Sequence, residues 1–461
     1  MLVSFDGSRL QYKETHRFPN IPVQAHRMLH WDVLRIWHEI QTGLDAVLSE
    51  AASIGVDTWG VDFALLDRNG TLISNPVHYR DSNRDGAMEW VFERVPRRLL
   101  FERTGIQFMI LNGLYQLAAY KRANSPLLDA AHTFLTIADL FNFWLCGALT
   151  CEFTHATTQQ TYNPRAQRWD TETLEALGIP SHIFPEIVQP GTKIGSYQGI
   201  PVIAPSCHDT GSAVVAVPAT TKNYAYLSSG TWSLLGAEVD HPIINDTTYA
   251  ANFTNEGGVE GTFRLLKNVA GMWLVQQSRL TWAKEGKDYS YEEMAALAAA
   301  EKPFFAFIDP DDPLFLPPGD MPARIREFCQ QTHQPVPENA GQILRVIYES
   351  LALKYRHVLD KLIQITGNDI EQLHIIGGGS QNALLSQMTA DCIGHEVITG
   401  PVEATTLGNA IVQFIALGEI GNVAQARQIL SHSFRNLRYH PKETDQWDEA
   451  YSRFQSLLTT L

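Results

Sequence analysis

The stretch of this chain richest in chemistry is Ser206-Cys207-His208-Asp209-Thr210-Gly211-Ser212, which follows the apolar run Ile200-Pro201-Val202-Ile203-Ala204-Pro205. A β-branched run that breaks into small and polar residues reads as a buried strand delivering a turn to a cleft. Asp209 is the candidate base, because a carboxylate there can take the proton of a substrate hydroxyl as its oxygen attacks phosphorus. His208 and Thr210 can supply hydrogen bonds, and Gly211 leaves room for a substrate beside the backbone. An aspartate at a strand end is also an ordinary helix cap, so this stretch taken alone does not separate the two roles.

Five further places could meet a ligand. In Val56-Asp57-Thr58-Trp59-Gly60-Val61-Asp62-Phe63 a polar and glycine break parts two apolar runs. Gly60 would bare its backbone there and Trp59 could wall a sugar ring, or the pair is a bulge beside the core. Arg80, in Tyr79-Arg80-Asp81-Ser82, could contact a polyol or form a structural ion pair. The turn Ser228-Ser229-Gly230-Thr231 offers hydroxyls and amides that can cradle phosphate oxygens without positive charge, as many plain hairpins also do. Asn268, where a strand is expected to give way to a helix, and Gln276, two turns along that helix, are amides that can bind a ligand or merely cap and pack. Last, Ile376-Gly377-Gly378-Gly379-Ser380-Gln381-Asn382 joins a strand to a helix start, which allows a nucleotide to approach backbone amides closely. Its spacing does not match the dinucleotide-binding fingerprint.

The elements that must position these residues are legible in outline. Asp6-Gly7 signals a hairpin at the start of the chain, and Asn69-Gly70 another. Residues 31–49 carry apolar side chains at helical spacing, with Asp32 as a cap. A mainly helical region is expected to about residue 150, in which Leu127 to Leu149 reads as a buried helix, its two acids, Asp129 and Asp139, and His132 unsuited to a bilayer. Residues 151–199 read as loops and short helices. A domain boundary is expected just past Val217-Pro218-Ala219-Thr220-Thr221-Lys222. Further on, a long amphipathic helix from about Ala340 to Ile365 should stop at Gly367. The helix opened by Glu403-Ala404-Thr405 has small residues on one side, suited to tight packing, and Trp447, Tyr451, Phe454 and Leu458 form a core stripe.

Composition narrows the function classes. With 461 residues, 44% hydrophobic and 18% charged, the chain can bury a large core, and two domains are expected. A net charge of −15 argues against a nucleic-acid or anionic-membrane surface, so any phosphate must be met locally, by backbone amides and a metal ion. Five cysteines without metal-type spacing fit reduced thiols, and no signal segment opens the chain, so a cytoplasmic location is expected.

Read together and in order, these motifs resemble those of the FGGY carbohydrate kinases. The resemblance rests on residues 57–63, 79–82, 206–210, 226–233, 266–268 and 376–382, and it spans nearly the whole chain. It implies an α/β protein of the two-domain actin and hexokinase type with mixed sheets: a sugar-binding domain over residues 1–218, a nucleotide-binding domain over 219–461, and a cleft between them. By that resemblance Asp209 is the proton acceptor, Gly60, His208, Thr210 and Asn268 contact sugar, and Thr231, Gln276 and Gly378 contact the nucleotide; the metal ligands are not assigned. ATP with Mg²⁺ would phosphorylate the 1-hydroxyl of L-rhamnulose. Another ketose, such as L-fuculose or D-xylulose, is the alternative substrate, and a catalytically silent sugar-binding regulator is the alternative class. One departure stands out, since the family's opening strand and Asp-x-Gly phosphate loop have no counterpart here, and Met1–Phe5 resembles the strand that follows them. The expectation is that the gene product starts upstream, and that the 461-residue form folds poorly and turns over slowly.

Overall fold

In the computed structural model, which describes residues 1–460, the chain opens on the hairpin that Asp6-Gly7 signals. Leu2–Phe5 pairs antiparallel with Leu10–Lys13, and Gly7 takes a φ of +93°, a turn conformation that costs glycine little. The helix Val33–Asp45 follows, with the Asp32 side chain accepting from the Arg35 N–H, as the sequence suggests. By its contacts the chain falls into two units. One comprises Met1–Ala216, Glu238–Leu265 and Ala404–Ser433; the other comprises Val217–Ala237, Leu266–Glu403 and the residues from Phe434 onward.

At the centre of the first unit, Phe63–Leu66 pairs antiparallel with Thr133–Thr136, Phe63 opposite Thr136, and all eight residues are buried. This corrects the expectation of one buried helix over residues 127–149. Thr133-Phe134-Leu135-Thr136 is β-branched and aromatic, so it completes a strand pair, and the helix begins only at Ile137 and runs to Cys146. Residues 151–199 also hold more strand than expected. Thr150–Glu152 runs parallel to Glu186–Val188, and Lys193–Tyr197 forms a hairpin with Ile200–Ile203. These strands are three to five residues long, too short for their alternation to stand out. The small-residue face of the helix Ala404–Ala416 packs on the helix Asp209–Val215. A Cβ on Gly408 would lie 1.7 Å from the Ser212 carbonyl oxygen.

In the second unit a sheet places Tyr224–Ser229 between an antiparallel partner, Trp232–Val239, and a parallel one, Gln372–Ile376; Glu396–Thr399 continues it in parallel. The 27-residue helix Ala340–Thr366 is capped by Asn339 and ends at Gly367, whose φ of +68° gives the left-handed stop read from the sequence. In the helix Thr444–Thr460, Trp447, Tyr451 and Phe454 are buried and Leu458 is half-buried. All five cysteines are free thiols. Among the described residues no helix is long and apolar enough to cross a membrane.

Candidate active site

The two most informative stretches of the first unit lie side by side. The Ile54 N–H donates to the Pro201 carbonyl and the Ile203 N–H to that of Ile54, each at 2.9 Å. Further along, the Thr58 N–H donates to the Cys207 carbonyl and the Asp209 N–H to that of Thr58, also at 2.9 Å. Two short parallel bridges, Ile54 with Val202 and Thr58 with His208, therefore bring Gly60 beside His208. A Cβ on Gly60 would come within 3.0 Å of the His208 Nε2 and 3.3 Å of the Thr158 Cγ2. The break read at residues 57–60 ends in a tight turn, closed by the Asp62 N–H on the Gly60 carbonyl at 2.9 Å, with Val61 at a φ of +66°. That conformation is strained for a β-branched side chain, and the buried Asp62 holds the turn in place. It accepts from the indoles of Trp31 (2.6 Å) and Trp59 (3.0 Å) and from the Arg84 guanidinium (2.9 Å). Trp59 is half-buried against Trp31, ring centroids 4.3 Å apart.

Asp209 opens the helix Asp209–Val215, its side chain 43% exposed in otherwise buried surroundings. Its Oδ1 accepts from the Thr210 N–H at 2.5 Å and the Thr210 hydroxyl at 3.2 Å, and lies 3.4 Å from the His208 Nε2. On the far side of the His208 ring, Nδ1 is 3.2 Å from the Arg264 Nη2 and 3.3 Å from the Glu256 Oε2. Arg264 in turn donates to Glu256 at 3.1 Å and to the Gly257 carbonyl at 2.8 Å. Asp57 lies close enough to feel the Asp209 charge. Burial first, and that charge second, push its carboxyl up to about 7, against the Asn409 amide that donates to it at 2.5 Å. Asp57, Thr58, Trp59 and Asn409 also line a cavity of about 730 Å³, walled on another side by Met1–Phe5.

Sequence reasoning missed what holds this loop. Glu152, fully buried, accepts from the Thr154 N–H and hydroxyl, the His155 N–H and the Cys207 N–H, at 2.6 to 3.1 Å. The Thr154 hydroxyl is also 3.2 Å from the His208 N–H, which donates to it. Burial pushes the Glu152 carboxyl up to about 8 even against these donors. His155 stacks parallel to His208 at 6.1 Å and donates from Nε2 to the Trp59 carbonyl; burial lowers its imidazole to about 3, so it stays neutral.

In the second unit the structure brings Thr231 and Gln276 together. The Thr231 hydroxyl donates to the Gln276 Oε1 at 3.2 Å, and the Trp273 N–H at the helix start donates to the Thr231 carbonyl at 3.1 Å. The triple glycine sits against the same turn. A Cβ on Gly379 would meet the Ser229 Oγ at 2.0 Å and one on Gly377, at a φ of +83°, the Ser229 carbonyl at 3.0 Å, whereas one on Gly378 would meet nothing within 4 Å. Gly378 thus faces open space at the C-terminal ends of two parallel strands, where open α/β sheets commonly bind ligands. Asn268 also belongs to the second unit, within the strand Phe263–Ala270, which ends two residues beyond it, and not at a strand-to-helix junction as expected. Beside it, burial lowers Lys267 to about 8. Among the described residues no group of three or more His, Cys, Asp or Glu is arranged to hold a metal ion.

The N-terminal domain model of the FGGY family of carbohydrate kinases matches residues 7–204, and the C-terminal domain model matches residues 225–417. The chain belongs to this family. It is 46% identical to a rhamnulokinase of Bacteroides thetaiotaomicron over 99% of this chain and 96% of that one. It is 42% identical to a rhamnulokinase of Pectobacterium atrosepticum over 99% and 93%. The fold is that of solved sugar kinases with an actin and hexokinase-like architecture. A ligand-bound xylulose kinase from Lactobacillus acidophilus superposes with a TM-score of 0.79 at 17% identity, covering 96% of this chain and 92% of that one. A Plasmodium falciparum glycerol kinase with ADP gives 0.75 at 15%, with the same coverage. As an FGGY carbohydrate kinase the chain transfers phosphoryl groups to sugars with ATP as co-substrate. Carbohydrate kinase chemistry needs a hydroxyl-activating group, and the open carboxylate of Asp209, ringed by donors, is suited to it.

Proposed function

We propose that this chain is the ATP-dependent kinase of L-rhamnulose, transferring the γ-phosphoryl group to the 1-hydroxyl in L-rhamnose catabolism, with L-rhamnulose 1-phosphate and ADP as products. The observation that carries the substrate is the 46% identity to a rhamnulokinase across nearly the whole chain. The described contacts of Asp209 gather on Oδ1, which leaves Oδ2 for the sugar hydroxyl. As the sugar oxygen attacks phosphorus its proton passes to that carboxylate. His208 and Thr210 orient Asp209 and the sugar, Gly60 leaves the sugar its space, and Asn268 is assigned to the sugar by its match to the family pattern. Thr231, Gln276 and Gly378 would meet the nucleotide with a hydroxyl, an amide and an open backbone. We assign sugar binding to residues 1–218, nucleotide binding to 219–461, and the reaction to the cytoplasm.

Mg²⁺ fits this donor set. With no cage of three ligands among the described residues, the ion would keep waters and nucleotide oxygens and use one or two carboxylates, for which Asp209 and Asp57 are the candidates of the first unit. When bound it neutralises phosphate charge. A panel of ketoses in an ADP-release assay tests the reading. L-rhamnulose should exceed L-fuculose and D-xylulose in kcat/KM by about 10-fold or more, the discrimination that a few pocket contacts supply. A higher value for another ketose would move the substrate, and sugar binding by calorimetry without ADP release would favour a silent regulator.

A further inference from the structure

His208 touches Asp209 with one ring nitrogen and a buried ion pair with the other, and the ion pair has no part in the reaction as described above. Arg264 is 1% exposed and Glu256 6% exposed, so the pair is held out of water and carries a desolvation cost. A guanidinium has only donors. The 3.2 Å approach of the Arg264 Nη2 to the His208 Nδ1 is therefore a hydrogen bond only if Nδ1 carries a lone pair. The proton of a neutral imidazole then sits on Nε2, where it can point at the Asp209 Oδ1 3.4 Å away. The other tautomer would set the Nε2 lone pair against the Asp209 carboxylate and an Nδ1–H against the Arg264 donor; the Glu256 Oε2, 3.3 Å from Nδ1, could accept that proton only at the loss of the Arg264 bond. Glu256 cancels the Arg264 charge and fixes the guanidinium through Nη2, while the Gly257 carbonyl fixes it through Nε.

We propose that Arg264, held by Glu256, is a positioning residue that locks His208 in its Nε2–H tautomer, so that the ring presents a donor to the proton acceptor Asp209. The inference rests on the reading of Asp209 as that acceptor. A donor on Oδ1 keeps the carboxylate turned with Oδ2 toward the sugar, and a misturned base loses rate far more readily than binding. The lock is local and of a kind familiar from histidines whose second nitrogen is fixed by a neighbour.

The test is a double-mutant cycle with a spectroscopic readout. Arg264→Met should lower kcat by about 10- to 100-fold, the usual cost of losing an outer partner, and leave the KM for ATP unchanged. In His208→Gln the amide Nε2 replaces the imidazole as a donor that has no tautomers. Adding Arg264→Met to that background should therefore cost less than about 3-fold, a strong non-additivity. Because Arg264→Met strands the Glu256 carboxylate, Glu256→Gln/Arg264→Met, which removes both charges together, is measured beside it and should show the same pattern. In protein labelled with ¹⁵N-histidine, the His208 signal, assigned by its loss in His208→Gln, should report Nε2–H, and should move toward Nδ1–H in the Arg264 variants. An Nδ1–H ring in the unmodified protein, or an equal loss from Arg264→Met in both backgrounds, would overturn the proposal. Failure of the underlying reading looks different: Asp209→Asn would turn over normally while the tautomer shift on losing Arg264 persisted.

Discussion

At Gly60 the residue matters for the atom it lacks. A methyl group there would press on the His208 Nε2 at 3.0 Å and on Thr158, so the imidazole would have to yield by a few tenths of an ångström. Gly60→Ala should raise the KM for the sugar about 10-fold and leave the KM for ATP unchanged, measured by initial rates with each substrate varied in turn; equal shifts in both would place the damage outside the sugar side. Asp209, His208, Thr210 and Gly60 were legible because polar and glycine residues interrupt apolar runs there. Glu152, Glu256 and Arg264 were not. Each is a lone charged residue in an unremarkable segment, and its partner is reached only through the fold: Glu152 and Cys207 are 55 positions apart, and Arg264 and His208 are 56.

At the scale of elements, two contacts hold the segment that carries Asp209. The helix Ala404–Ala416 approaches the helix Asp209–Val215 closely only because Gly408 has no side chain, and the Thr405 hydroxyl donates to the Asp209 carbonyl at 3.3 Å. Gly408→Ala should destabilise the protein by about 1–3 kcal/mol through overpacking, read as a fall in the denaturant midpoint. The second contact is Glu152, whose carboxyl lies near 8 in the folded chain against 4.5 as its ordinary value. The folded state then holds the Glu152 proton where the unfolded chain has lost it. This contribution is complete below about pH 4.5 and is lost as the pH rises toward 8. Denaturant midpoints taken from pH 5 to pH 8 should fall with pH, and Glu152→Gln should flatten that slope whatever it does to the midpoint itself; an unchanged slope would contradict the assignment. Caps, helix stops and the small-residue face were readable from local sequence, because each depends on residues within a turn or two. The strand Thr133–Thr136 was not, since its four residues carry no period and only the pairing with Phe63–Leu66 makes them a strand.

Across the whole molecule, each compact unit is assembled from three separate segments of chain. The residues around Asp209 come from positions 54–60, 152–158, 204–212, 256–264 and 405–409, so the site exists only when distant segments have docked. Such non-local assembly is what a single sequence conceals most, and the order of motifs along the chain made the family recognisable where local pattern could not give the contacts. The most direct test of the account is the turnover of L-rhamnulose with ATP by Asp209→Asn, measured beside sugar binding by calorimetry. The account predicts that kcat falls by about 10²- to 10⁴-fold, the range for loss of a general base, while the sugar Kd stays within a few-fold. Turnover by Asp209→Asn within about 3-fold of the unmodified protein would contradict it.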